Sequence, residues 1–185
     1  VDRDEGQRCF PSFVATTGPL SDSLREEMTG VSWHDGCPVG LDDLRLLQLT
    51  YWTFEGEQTS GELVIAASAA EAVVEIFGKL HDAQFPLERM ERIDRYGGSD
   101  DASMAANNTS AFNCRKVGGS QRWSEHAMGT AIDINPVQNP WVKGDRVDPP
   151  AGAPFVDRAK GRPGMVVEGD VVVVAFYAAG WHWGG

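Results

Sequence analysis

The chain has 185 residues, of which 42% are apolar and 23% charged, a composition that indicates one folded domain and excludes wholesale disorder. Sixteen lysines and arginines against 27 aspartates and glutamates give a net charge of −11, which argues against a nucleic acid partner and an anionic membrane surface, because both need a basic face. The longest apolar run, at residues 171–179, is far shorter than the roughly 20 residues that cross a bilayer, so we expect no membrane span.

The N-terminal residues 1–34 are polar and predict an arm with one short helix near residues 21–28. Alternating apolar and polar residues, several of them aromatic, predict a strand at 47–54. Glu-Gly-Glu at 55–57 is typical of a turn, and a second strand is predicted at 61–66. We therefore expect these two strands to form a β-hairpin.

The clearest helical pattern lies at residues 69–80, where apolar residues recur at helical spacing. Ser68 and Glu71 match a capping box at the start of this helix, and its end is predicted near residues 81–82. The next segment, 87–95, predicts either a strand or a short helix.

The rest of the chain is predicted to be mostly irregular. Residues 97–122 are rich in Gly, Ser, Asn and Asp and predict a long loop, with a solvated acidic pair at 100–101. Residues 137–165 are rich in proline and also predict a loop. Asp170 matches the N-cap of a final helix at 171–179. Strands and helices in this mixed order predict an α+β fold.

The three cysteines, Cys9, Cys37 and Cys114, contain no Cys-x-x-Cys pair, so the sequence does not indicate a thiolate metal site. One disulfide, with Cys37 paired to Cys114 and Cys9 left over, would suit an exported protein. Three unpaired cysteines in a reducing compartment are the alternative, and the sequence alone leaves both open.

The chemistry of the chain is expected to centre on His126 and Asp133, which lie seven residues apart with small residues between them. Residues 131–134 have strand character, which would put Asp133 on one face, and Gly129 allows the backbone to turn between the strand and His126. Both side chains would then point into one cleft. An imidazole nitrogen with a carboxylate oxygen suits zinc if a third ligand is present.

These residues have three other interpretations. His126 hydrogen-bonded to Asp133 inside a polar core would need no metal. A triad of Ser124, His126 and Asp133 is disfavoured, because ten consecutive residues on one turn align poorly as nucleophile, base and orienting group. Cys114 as a nucleophile with His126 is also disfavoured, because a reactive thiol needs a helix N-terminus or a cation beside it, and the sequence shows only Arg115 there.

The pattern Ser-x-His-x-x-Gly-x-Ala-x-Asp at residues 124–133 resembles the motif of the zinc D-alanyl-D-alanine carboxypeptidases and their relatives, the L-alanyl-D-glutamate endopeptidases. The segments at 107–115 and 134–140 resemble a secreted, actinobacterial-type branch of this family. The final block, Gly-Trp-His-Trp-Gly-Gly at 180–185, resembles the family's aromatic-x-Trp-Gly-Gly block. The resemblance implies a domain at residues 35–185 with a hedgehog/DD-peptidase-like fold, a small antiparallel sheet with flanking helices.

The resemblance also implies a bound Zn2+ with His126 and Asp133 as ligands. The family's third ligand is a His that follows a carboxylate general base by three residues. His182 does not fit this pattern, because Ala179 stands three residues before it. The third ligand and the base are therefore expected beyond Gly185, and the 185 residues alone would be inactive without them.

Four further residues are candidates for contacting the substrate. Arg115 is the nearest match to the family's arginine that stabilises the oxyanion, although a surface ion pair is the alternative. Ser110, Ser124 and Trp181 are predicted to bind substrate, and packing in the core is the alternative for Trp181.

Together these features predict a secreted or cell-wall-associated, monomeric zinc peptidase that acts on peptidoglycan stem peptides. It would hydrolyse either the bond cut by D,D-carboxypeptidases or the bond cut by L-Ala-D-Glu endopeptidases. The alternative is a non-catalytic homologue that lacks a complete zinc site and has a cell-wall-binding or regulatory role.

Overall fold

The computed structural model of the protein describes residues 12–184. The four helices in this range, in chain order, are α1 (Asp22–Met28), α2 (Ala70–Asp82), α3 (Asp100–Ala105) and α4 (Val171–Ala178). The strands are β1 (Ala15–Pro19), β2 (Leu44–Trp52), β3 (Gln58–Ala66), β4 (Arg89–Met90), β5 (Asn108–Thr109), β6 (Trp141–Lys143) and β7 (Arg146–Asp148). Short 3-10 helices lie between them. The mixture confirms the predicted α+β class.

A three-stranded antiparallel sheet in the order β1-β2-β3 forms the centre of the fold. The predicted hairpin is confirmed: β2 pairs with β3 along its whole length, from Leu44 opposite Ala66 to Trp52 opposite Gln58. The turn between them contains Gly56 with φ +75°, a conformation that glycine adopts freely. The edge strand β1 comes from the predicted N-terminal arm and pairs with β2. The boundary at residue 34 stays a prediction.

The main core lies between this sheet and α2, which also packs against α4. The buried face of α2 carries Val73, Ile76, Phe77 and Leu80, the residues whose spacing predicted the helix. The predicted capping box is wrong. Residues 67–69 form a 3-10 turn, so Ser68 lies inside that turn and no side chain caps the start of α2.

A second apolar cluster joins α1 to the segment that precedes the candidate site. Leu24 and Met28 of α1 pack there with Leu44 and Phe112. The disulfide between Cys37 and Cys114 lies beside this cluster, with the two Cα atoms 6.0 Å apart, which selects this pairing from the alternatives that the sequence left open. Cys9 lies outside the described residues.

The predicted loop at 137–165 contains the short β6–β7 hairpin and two 3-10 helices, and the chain is otherwise irregular until α4. The predicted helix there is confirmed: Asp170 caps it, and Gly180 with φ +81° follows its end. The strand predicted at 131–134 is wrong, since this extended segment makes only a single bridge, between Ser110 and Asp133. Within residues 12–184, none of the helices is long and apolar enough to cross a membrane.

Candidate functional site

His126 and Asp133 come together although seven residues separate them. His126 lies in the 3-10 helix Glu125–Met128, and Gly129 ends that helix in the left-handed conformation with φ +68°. The chain then reverses into the extended segment that carries Asp133. The His126 Nε2 and Asp133 Oδ2 atoms are 3.3 Å apart. The two side chains therefore meet, as the sequence pattern predicts.

Two of the predicted substrate-binding residues hold this pair in place. Ser124 is the N-cap of the 3-10 helix, and its hydroxyl accepts a hydrogen bond from the His126 backbone N–H at 3.3 Å. Ser110 and Asp133 exchange two backbone hydrogen bonds, of 3.1 and 2.9 Å. Both serines are buried and neither lines the cavity described below, so their contacts fix the backbone at His126 and Asp133.

The imidazole of His126 is oriented by its other nitrogen. Nδ1 lies 2.6 Å from the carbonyl oxygen of Ala111, which can only accept, so Nδ1 carries the proton and Nε2 faces Asp133. Burial acts to lower the pKa of His126, but the charge and the hydrogen bond of Asp133, with the Ala111 carbonyl, raise that pKa to about 9. For Asp133, burial acts to raise its pKa, but the charge of His126 holds it below the ordinary value. Without a metal the two groups form an ion pair.

Arg115 pairs with an acid that the sequence analysis did not select. Its Nη2 atom donates to Asp100 Oδ2 at 2.6 Å, and the Asp100 side chain is only 22% exposed. The predicted solvated acidic pair at 100–101 is therefore wrong for Asp100. Burial raises the pKa of Asp100, although the charge of Arg115 opposes the shift. Arg115 also lowers the pKa of Asp133 through its charge, so Arg115, Asp100 and Asp133 form one electrostatic cluster with His126.

A cavity of about 830 Å³ opens beside His126 and Asp133. Part of its lining is aromatic and apolar, and includes Phe176 of α4, Trp181 and Trp183. Trp181 both lines the cavity and packs on the main core, with its ring 5.6 Å from that of Phe176. Asp133 keeps 36% of its side chain exposed, so a ligand in the cavity can reach the carboxylate.

The cavity is also lined by a positively charged side chain that no sequence motif indicated. Arg158, in the 3-10 helix Arg158–Lys160, is the sole lysine or arginine among the lining residues in the part of the chain that is described. It lies in the proline-rich segment predicted to be a loop. Its partners Asn139 and Val166 are set by the three-dimensional path of that loop, so no local spacing could have identified it.

The chemistry of the donors fits zinc at the His126–Asp133 pair. A neutral imidazole nitrogen and a carboxylate oxygen are zinc ligands, and both face the cavity. A complete site needs a third protein ligand. His182 lines the same cavity, but among residues 12–184 no third His, Cys, Asp or Glu completes a close group with the pair.

A different cluster of three ligand-type side chains lies at the disulfide. The candidate ligand atoms of His34, Cys37 and Cys114 are all within 4.8 Å of one another. The two sulfur atoms are bonded to each other and are therefore not thiolates, the form that binds metals. In the oxidised protein this cluster offers one good ligand, the imidazole of His34.

The comparison with protein families gives one match. Residues 118–185 match the sequence model of a family described as D-alanyl-D-alanine carboxypeptidase. The matched segment is less than half of the chain, and it contains His126, Asp133 and the Trp-His-Trp block. The match supports a peptidase. Neither the curated proteins nor the solved structures include a significant match to this chain.

Proposed function

We propose that the protein is a zinc-dependent peptidase of the D-alanyl-D-alanine carboxypeptidase family that hydrolyses peptidoglycan stem peptides. The observation that carries the proposal is the convergence of His126 Nε2 and Asp133 Oδ2, 3.3 Å apart, on the wall of a large cavity. The family match over residues 118–185 supports it, because that segment contains both side chains. The fold alone would not support it, since one fold can carry many activities.

His126 and Asp133 would hold the zinc, and the bound ion would supply a polarised water and an electrophile for the scissile carbonyl. The Ala111 carbonyl keeps the Nδ1 proton in place, so that Nε2 offers its lone pair once its own proton has left. Arg115 and Asp100 form an ion pair, and the charge of Arg115 stabilises the ionised form of Asp133. The third ligand and the general base are proposed to come from residues other than those described.

The finer assignments are also proposals. A D,D-carboxypeptidase fits the description of the matched family better than an L-Ala-D-Glu endopeptidase, and the two differ in the products they release. A secreted or wall-associated location agrees with the Cys37–Cys114 disulfide, because disulfides persist in oxidising compartments. We propose the actinobacterial-type branch on the residues at 107–115 and 134–140, and a monomer as the working state.

The zinc site is tested by metal analysis of the natural full-length protein and two histidine variants. We expect about one zinc per chain in the parent and loss of stoichiometric zinc in His126→Ala, because the imidazole supplies one of few ligands. His34→Ala is the matched control, and it should keep its zinc. Loss of zinc from His34→Ala with retention in His126→Ala would transfer the site to the disulfide cluster and contradict the proposal.

The activity is tested on purified muropeptides, with the products identified by mass spectrometry. Release of D-alanine that stops on chelation and returns with zinc is the expected result. A second candidate function is a non-catalytic module that binds wall peptides. It is favoured by one observation, that within the described range no third ligand completes the His126–Asp133 pair. Saturable muropeptide binding by a full-length protein that holds no zinc and releases no product would select this second function.

A further inference from the structure

Arg158 is held rigidly at the cavity by one end of its guanidinium group. Its Nη1 atom donates to Asn139 Oδ1 at 2.6 Å and to the Val166 carbonyl oxygen at 3.0 Å. The same Asn139 oxygen accepts from the Val166 backbone N–H at 2.7 Å, and the Asn139 amide donates to the Gly164 carbonyl at 2.9 Å. The guanidinium also lies over Trp183, with its Cζ atom 5.4 Å from the ring centroid.

Within residues 12–184, the other edge of the guanidinium has no hydrogen-bonding partner. A guanidinium has five N–H donors, and the two on Nη1 are used by Asn139 and Val166. The three donors on Nε and Nη2 bond to no acceptor in the described residues, and neither atom is among the buried unsatisfied ones, so both are accessible. Nε and Nη2 form the planar fork that matches the two oxygens of a carboxylate.

The positive charge of Arg158 is also uncompensated at contact distance. No carboxylate of the described chain lies within 4 Å of it, whereas Arg115 has Asp100 at 2.6 Å and Arg146 has Asp148 at 2.5 Å. Asp170 attracts it through space, but both Asp170 oxygens already accept backbone N–H groups at 2.8 Å. In a chain of net charge −11, a fixed arginine at a cavity wall that pairs with no acid among residues 12–184 is a site for an anionic group.

We propose that the free edge of Arg158 binds a carboxylate of the peptide substrate and selects peptides that carry a free carboxyl group at that end of the cavity. The inference rests on the proposed function, since it names the group that anchors the substrate in the same cavity. Two carboxylates of a stem peptide have the required chemistry, the C-terminal carboxylate of D-alanine and the α-carboxylate of γ-linked D-glutamate. The apolar wall of Phe176 and Trp181 would then contact the uncharged part of the peptide.

The test is a binding measurement on the full-length protein with its metal removed by chelation, so it does not depend on zinc or turnover. An N-acetylated peptide ending in D-Ala-D-Ala is titrated as the free acid and as the C-terminal amide, by calorimetry and by tryptophan fluorescence. A second pair of peptides, amidated at the C-terminus, carries the D-glutamate α-carboxylate either free or amidated. We expect one acid to bind about tenfold or more tightly than its amide, the loss typical of a removed charge-assisted pair. Whichever pair shows the difference identifies the carboxylate.

Two variants assign the effect to Arg158. Arg158→Gln should abolish the difference between acid and amide, and Arg158→Lys should keep part of it, because a lysine retains the charge but not the fork. Arg162→Gln is the matched control, since Arg162 is an exposed arginine of the same loop and does not line the cavity. Circular dichroism checks that each variant is folded.

Equal affinity of acid and amide in both pairs, or no saturable binding of either acid, would overturn the proposal, and neither outcome requires a variant to fold. A parent protein that holds no zinc, or that releases no product from muropeptides in the experiments above, would overturn the proposed function instead. The two failures are therefore distinguishable.

Discussion

At the scale of single residues, the closeness of His126 and Asp133 depends on the backbone between and beside them. Gly129 reverses the chain with φ +68°, and its carbonyl accepts a hydrogen bond from the Ala66 N–H at 2.9 Å, at the end of β3. This bond fixes the turn against the sheet. The two candidate ligands are therefore positioned by the central sheet as well as by their own loop.

Gly129→Ala should destabilise the protein. A Cβ at this position would lie 2.6 Å from the Ala66 backbone nitrogen, and the left-handed conformation is itself unfavourable for alanine. We expect the free energy of unfolding to fall by ~1–3 kcal/mol, measured by urea denaturation. Gly118→Ala is the control, because Gly118 is exposed and its Cβ would meet nothing within 4 Å. Equal stability of the two variants would show that the turn can move away from β3.

At the scale of elements, α4 forms one wall of the cavity and begins at a single capping residue. Asp170 Oδ1 accepts from the Val173 N–H at 2.8 Å, and Oδ2 accepts from the Val167 N–H at 2.8 Å. A carboxylate at a helix N-terminus is stabilised by the aligned peptide dipoles. The cap thus fixes both the start of α4 and the chain that leads from Arg158 to it.

Asp170→Ala should therefore lower the free energy of unfolding by ~0.5–2 kcal/mol, the usual cost of losing an N-cap. Asp170→Asn should lose less, because its one carbonyl oxygen can still accept from Val173. Thermal unfolding of the two variants, beside Asp145→Ala in the exposed turn between β6 and β7, measures the effect. An Asp145→Ala loss as large as that of Asp170→Ala would contradict the role of the cap.

Elements with a strong local pattern were predictable from the sequence, and elements set by distant contacts were not. The β2–β3 hairpin, α2 and α4 follow from alternation, helical spacing and caps, which neighbouring residues encode. The start of α2 was mispredicted, because a 3-10 turn at residues 67–69 took the place of the capping box. The extended segment at 131–134 was mispredicted as a strand, since it has only a one-residue bridge as its partner.

The same distinction holds within the candidate site. His126 and Asp133 share one short segment, so their meeting could be predicted from spacing and a glycine. Asp100 meets Arg115 from the first turn of α3, a helix within the segment 97–122 that the sequence predicted only as a polar loop. Arg158 depends on Asn139, nineteen residues earlier, and on Val166, eight residues later. Pairings of this kind have no periodic signal, and a structure is needed to find them.

At the scale of the whole molecule, a disulfide and a mostly buried arginine are among the long-range links that hold the N-terminal segment to the rest of the fold. The Cys37–Cys114 disulfide joins residues 77 positions apart. Arg92 forms another such link, since its Nη2 atom donates to Glu27 of α1 and its Nε atom donates to Glu62 of β3, both at 2.9 Å. The Arg92 side chain is 11% exposed, so water competes little for these bonds.

The Arg92 link should make stability depend on pH in the acid range. Burial acts to raise the pKa of Glu62, but hydrogen bonds from Arg92 and Gln48 and the charge of Arg92 outweigh it, so this pKa lies below its ordinary value. Because the folded pKa is lowered, the stabilisation is present above the ordinary glutamate pKa of about 4.3 and is lost as pH falls through the folded value.

Glu62→Gln should therefore cost ~1 kcal/mol at neutral pH and progressively less below about pH 4, where the parent protein has lost the same interaction. Urea denaturation of both proteins across this range gives the difference in unfolding free energy at each pH, in which the titration of all other carboxylates cancels. Glu55→Gln, in the exposed turn between β2 and β3, is the control and should show only a small difference. A Glu62→Gln difference that stays constant or grows as pH falls would mean that Arg92 does not depress the pKa of Glu62, and the link would then act through packing alone.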